Sequence, residues 1–225
     1  MVVISAIIFG VLLSGTPDMW QQSPQVRDDV RGVQVTGGTA VDALEQLEVK
    51  GRAPKTGYAR TQFGNGWTNI AGCDTRNTIL YRDMPGATTD ENCRVMSGVL
   101  DDPYTGETVQ FIRGPETSQL VQIDHVVALS NAWQTGAQGL AEDQRIALAN
   151  DPLNLLAVDG AANQQKSDGD AATWLPPNKP FRCQYVARQI AVKQKYVLWV
   201  TPAEKEAILR VLRACPGQTL PVGIK

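Results

Sequence analysis

Histidine is almost absent: His125 is the only one in 225 residues. That speaks against a histidine-built metal cluster and sends any imidazole chemistry through one ring. Cysteine is scarce too. Cys73, Cys93, Cys183 and Cys215 form no CxxC pair, which speaks against a dithiol redox motif or a zinc ribbon. No apolar run reaches the roughly 20 residues of a comfortable membrane span. There is no P-loop, Rossmann fingerprint or serine-nucleophile elbow, and Gly64-Asn65-Gly66 has the spacing of a turn only. Positive charge is not in excess: 21 Lys+Arg stand against 23 Asp+Glu.

What is present is unevenly placed. Residues 1–170 carry 12 basic and 21 acidic side chains, and residues 171–225 carry the remaining 9 and 2. The C-terminal quarter is therefore basic, the minimum needed to hold phosphates, although a solvated helix face has the same composition. Arg182, Arg188, Lys193 and Lys195 are the expected groove cations. The even cysteine count suits two disulfides; sequence order suggests Cys73–Cys93 and Cys183–Cys215, with two other pairings open. The opening "MVVISAIIFGVLLSG" has the length of a signal-peptide apolar region, without the usual basic start, or of a weak anchor. Together these favour an oxidising, extracytoplasmic location over a cytosolic one.

Residues 16–57 are expected to be a linker containing one short helix, capped by Thr39 with Val41, Leu44 and Leu47 on its apolar side. A domain over 58–217 follows, then a tail over 218–225. "TVQFIRG" alternates like a strand, and "LVQIDHVVAL" reads as the next strand of a possible hairpin. Residues 131–151 read as a helix stopped by Pro152, "LNLLAV" as a strand, and "GAANQQKSDGD" as a turn opening a short helix. The end is helical: Phe181 to Leu198, then a helix with Thr201, Pro202 and Glu204 in a capping pattern. Trp67, Trp133 and Trp174 are expected in the core.

A lone histidine on an apolar strand is by default a satisfied core residue. Here Asp124 precedes it, Asn154 lies on the next strand, and Asn163 and Lys166 lie on the helix after that. "IDHVVALS…DPLNLLAV…NQQKSD" resembles the HNH nuclease motif, the ββα-metal finger, and its "NQQKSD" tail resembles HNH domains of RNA-guided nucleases. With "GCDTRN", "DPYTG" and "WLPPN", the chain from Tyr58 to Cys215 resembles secreted HNH-family proteins of bacteria.

The resemblance implies an α+β fold around a ββα-metal core and a monomeric, exported endonuclease that hydrolyses phosphodiesters to 5′ phosphates. DNA is the favoured substrate over RNA. His125 would be the general base, Asn154 would hold the loop carrying it, and Asp124 and Asn163 would be ligands of Mg²⁺ or Mn²⁺. Lys166 and Arg76 would contact phosphate; a solvating lysine and an Arg76 ion pair with Asp74 or Asp83 stay open. Neighbours on a strand point to opposite faces, so an irregularity is expected after Asp124. The chain departs from common HNH patterns at Ala128, where proline is frequent, and at Asn69, where an acidic residue is frequent. The alternatives are a catalytically silent, secreted nucleic-acid-binding module on the same scaffold and a phosphodiesterase for a small substrate.

Overall fold

The architecture, a computed structural model describing residues 38–115 and 117–221, is built round one two-stranded antiparallel sheet. Its strands are β6 (Val121–His125) and β7 (Leu155–Asp159), paired in unbroken register from Val121↔Asp159 to His125↔Leu155. Alternation makes this small sheet two-sided. Val121, Ile123, Leu155 and Ala157 enter a cluster with Ile79, Leu80, Val95 and Phe111. Leu156 and Val158 enter another with Leu44, Tyr104, Val186 and Ile208. A sheet buried on both faces explains why "LNLLAV" is continuously apolar.

Among the described residues five further short strands and seven α-helices surround that arrangement. Helix α1 (Ala40–Glu45) comes first, followed by β1 (Asn69–Ile70) and β2 (Cys73–Asp74). Helix α2 (Thr75–Asp83) follows, then a separate sheet of β3 (Thr88–Thr89), β4 (Val95–Asp101) and β5 (Thr108–Ile112). The expected hairpin between the last of these and β6 does not form: β5 pairs with β4, and β6 pairs with β7. Between β6 and β7 the expected single helix is broken into α3 (Leu129–Gln134), a 3-10 turn and α4 (Glu142–Asn150). Gly136, at φ +127°, marks the break.

Helix α5 (Gly160–Lys166) packs back across β6 and β7, completing a β-β-α unit. Asp159 caps it by accepting from the Ala162 N–H at 2.8 Å. Gly160 is required there, since a Cβ would lie 2.2 Å from the Gln119 carbonyl oxygen. Two helices close the molecule, α6 (Arg182–Lys195) and α7 (Pro202–Leu212), the latter with the capping box expected at Thr201. Their charges turn inward. The Lys193 ammonium is buried 3.0 Å from Glu204, and Arg188 donates to the Leu153 carbonyl at 3.0 Å. Lys195 pairs with Asp151, and Arg182 donates to the Pro176 carbonyl. Of the expected groove cations, Lys193 and Arg188 are therefore used as internal fasteners, while Lys195 keeps half of its side chain exposed beside Asp151.

The expected leader over 1–15 and the linker as far as residue 37 lie outside the described residues. From Thr39 onward the expected linker is part of the body. Helix α1 packs on α6 and α7, the Lys50 N–H donates to the Val200 carbonyl while the Val200 N–H donates to the Glu48 carbonyl, and Arg52 pairs with buried Asp170 at 2.7 Å. The start of the expected tail is docked as well: Ala40 donates to the Gln218 carbonyl. Disulfides join Cys73 to Cys93 and Cys183 to Cys215.

The second disulfide closes a 32-residue separation around the α6–α7 pair. Replacing Cys183 and Cys215 together by serine should lower unfolding stability by about 3–4 kcal/mol in the chain-entropy model. Urea denaturation measures this, and an unmoved midpoint would show that helix packing alone holds the pair.

Candidate active site

Asp124 and His125 are the last two residues of β6 and face opposite sides, as alternation demands. The irregularity expected after Asp124 is absent: the strand stays regular through His125, which is buried as a core histidine would be, and only then does pairing end and the chain bend at Val126 and Val127. At that strand end both side chains border one open cavity of about 620 Å³.

On the α5 side, the Asp124 carboxylate accepts from the Tyr104 hydroxyl at 2.5 Å and from the Lys166 ammonium at 2.9 Å. Lys166 also donates to the His125 carbonyl at 2.8 Å. Its ammonium is thus fully buried between the two expected site residues, not presented to solvent or phosphate. Burial pushes the Asp124 carboxyl above its ordinary range, opposed by Lys166 and Tyr104. One turn earlier on α5, Asn163 donates its amide to Gln122 Oε1 at 2.9 Å and also borders the cavity.

On the other side, the His125 ring lies parallel to Trp67, 5.8 Å between centroids and 11° between planes. Its Nε2 lies 2.9 Å from the Ala149 carbonyl oxygen. A carbonyl only accepts, so Nε2 carries the hydrogen and Nδ1 holds the lone pair. Burial lowers the imidazole pKa from 6.5 to about 3, with Arg60 and Lys166 adding repulsion and the Ala149 bond opposing. The ring is therefore neutral in ordinary buffers and presents one fixed tautomer.

Asn154 is fully buried behind this ring. Its Oδ1 accepts from the Val127 N–H at 2.8 Å, its Nδ2 donates to the Val127 carbonyl at 3.3 Å, and its own carbonyl accepts from Val126. It clamps the bend after His125 at both ends. Arg76 does not border the cavity; half-buried, it lies 3.5 Å from the Val121 carbonyl with Arg113 near it.

The cations at the cavity mouth come from a different place. Lys55 and Arg60 line it together with Tyr58, all on the segment that follows Arg52. Lys55 lies 5.4 Å from the Tyr58 ring centre and pairs with Asp168 at 3.1 Å, holding that carboxyl below its usual range; Ser130 adds a hydrogen bond. These residues, Tyr104 and Trp67 were not picked out as site residues from the sequence. Only Tyr104 carried a signal, its place within "DPYTG".

No group of three or more His, Cys, Asp or Glu side chains converges among the described residues. The two expected ligands, Asp124 and Asn163, both border the cavity, and both Asp124 oxygens are engaged by Tyr104 and Lys166. Their oxygen donors are of the type that suits a hard, largely hydrated divalent cation better than zinc.

The site can now be set beside known proteins. Residues 76–211, more than half of the chain, match the family model of GmrSD restriction endonucleases, C-terminal domain, and the chain belongs to that family. An uncharacterized secreted protein of Arthroderma benhamiae is 39% identical over 183 residues, covering 80% of this chain and 86% of its own length. That similarity and the two closed disulfides make this a secreted, extracytoplasmic protein. Among the described residues no helix is long and apolar enough to cross a membrane. No solved structure matches the chain.

The buried imidazole predicts an acid-labile fold. Its native pKa is depressed, so below pH 6.5 the unfolded chain gains a proton that the native ring refuses. This contribution to stability is complete above pH 6.5 and drains away as pH falls toward 3. Between pH 7 and pH 5 the loss should be about 2 kcal/mol. Urea titrations at both values should show it, and His125→Gln should remove it, because no other histidine titrates in that window.

Proposed function

We propose that the protein is a metal-dependent HNH-type endonuclease that hydrolyses the phosphodiester backbone of nucleic acid, with β6, β7 and α5 as its ββα-metal core. The observation that carries this reading is the fixed neutral tautomer of the single histidine at the edge of a cation-rimmed cavity. Membership of a restriction-endonuclease family supports it and favours DNA as the substrate.

In this reading His125 Nδ1 takes the proton of an attacking water; the neutral ring has the lone pair for it, while its burial-lowered pKa makes it a weak acceptor. Asn154 holds the bend that aims the ring. Lys166 is a positioning residue, fixing the Asp124 carboxylate and the His125 carbonyl together. Arg60 and Lys55 receive the phosphate backbone, the part first given to Lys166 and Arg76. Asp124 and Asn163 would hold Mg²⁺ or Mn²⁺, which supplies charge stabilisation of the transition state and of the leaving oxygen.

One observation favours a second reading, the catalytically silent nucleic-acid-binding module. The Asp124 charge is already neutralised by a fully buried ammonium. An internal cation in that place weakens the pull on a divalent one.

Plasmid nicking by the purified protein in Mg²⁺, Mn²⁺ or EDTA, beside His125→Ala, separates the readings. Metal-dependent nicking lost in the variant is expected. A folded protein that binds DNA without nicking it in any metal would favour the silent module. Lys166→Met provides a check without activity. Leaving Asp124 buried and uncompensated should cost about 3–5 kcal/mol. Millimolar Mn²⁺ should restore part of that thermal stability in the variant and none in Asp124→Asn/Lys166→Met. Equal melting with and without Mn²⁺ would remove Asp124 as a ligand.

A further inference from the structure

A second, smaller cavity of about 150 Å³ adjoins the first. Arg60, His125 and Leu129 border both, and Phe63, Gly64, Gly66, Trp67 and Ala149 complete the smaller one. The proposed chemistry does not use it. Its walls are aromatic and aliphatic, with a single charge, Arg60, at the partition it shares with the larger cavity. Gly64 and Gly66, at φ +94° and +141°, keep its rim free of side chains. A Cβ at Gly66 would meet nothing within 4 Å, so this side is open space.

We propose that this cavity is a subsite for one unpaired nucleobase next to the phosphate held at His125. The inference rests on the nuclease reading for its ligand class. A flat apolar ring is the group that gains from the partly exposed Trp67 in a wall backed by buried Phe63, and Arg60, which borders both cavities, would meet the phosphate of the same nucleotide. Aromatic stacking of this kind tolerates every base, so the subsite demands a base without naming it. A base held in a duplex cannot leave its stack to enter without the cost of unpairing, so unpaired strands are the preferred substrate. Nothing in the walls contacts the sugar, and the preference applies to either nucleic acid.

The test is binding of fluorescent 12-mers by anisotropy in EDTA, where metal-dependent cleavage cannot intervene. Three probes share one phosphate count per strand: oligo-dT, a fully abasic strand, and oligo-dT paired with oligo-dA. The native protein should bind oligo-dT about tenfold more tightly than either of the others. Trp67→Leu should collapse the dT-to-abasic ratio toward one, and Trp67→Phe, which keeps a ring, should retain most of it. Arg60→Gln should weaken oligo-dT and the abasic strand alike. Circular dichroism establishes that each variant is folded, and the native protein's dT-to-abasic ratio carries the test if the Leu variant is not. Equal affinity for oligo-dT and the abasic strand, or a ratio unchanged by Trp67→Leu in a folded protein, would overturn the subsite. Failure of the nuclease reading shows separately, as absence of nicking in every metal with base-dependent binding intact.

Discussion

Everything at the centre of this protein hangs on a lysine ammonium that water does not reach. Lys166 ties the Asp124 carboxylate and the His125 carbonyl to the last turn of α5. Removing a charge from water costs several kcal/mol, recovered only with near-complete pairing. Here the pairing includes the Tyr104 hydroxyl on the far carboxylate oxygen. The segments "DPYTG" and "WLPPN" serve that contact. Asn178 donates to the Pro103 carbonyl, and Trp174 packs 5.0 Å from the Tyr104 ring. A long-range frame thus converges on one carboxylate. The end of β6 is then held from three directions: α5 from one face, Ala149 through the imidazole, and Asn154 from behind.

The same constraint explains how neighbours on a regular strand serve one cavity. Their side chains diverge, one toward Lys166 and one toward Trp67, and the cavity opens where pairing stops. No bulge is needed. A free strand end, kept from fraying by Asn154 and Lys166, does the work of a distortion. Low local polarity has a chemical consequence as well. It keeps His125 neutral, and the Ala149 carbonyl selects which nitrogen holds the lone pair.

How much of this could be read in the sequence follows from distance along the chain. The pairing of β6 with β7 was implied only by the resemblance, whereas the individual strands β6 and β7, the short helix after them and the Thr201 capping box were legible because their signals are local. So was the grouping of Asp124, His125, Asn154 and Asn163, through its spacing and its resemblance to a known motif. The cations were misplaced. Counting charges picked the C-terminal helices, but Lys193 and Arg188 are consumed by Glu204 and the Leu153 carbonyl, and Lys195 is half-exposed beside Asp151. "GRAPKTG" has no periodicity and reads as a breaker. Its order comes from the Arg52–Asp170 pair, spanning 118 residues, which no window of sequence contains. The β5–β6 hairpin failed for a related reason: β5 found its partner in β4, and β6 needed β7, thirty residues on.

The Arg52–Arg60 strap lies wholly outside residues 76–211, the part that marks the family. The relative of 39% identity covers 80% of the chain, a span that cannot leave out the strap, so this stretch is shared beyond the family boundaries. A strap that meets the body through a few ion pairs and backbone hydrogen bonds can be exchanged, lengthened or recharged without touching the buried lysine network. A fragment trimmed to the family boundaries would lose Arg52 and leave buried Asp170 without its cation, a carboxylate uncompensated inside the body.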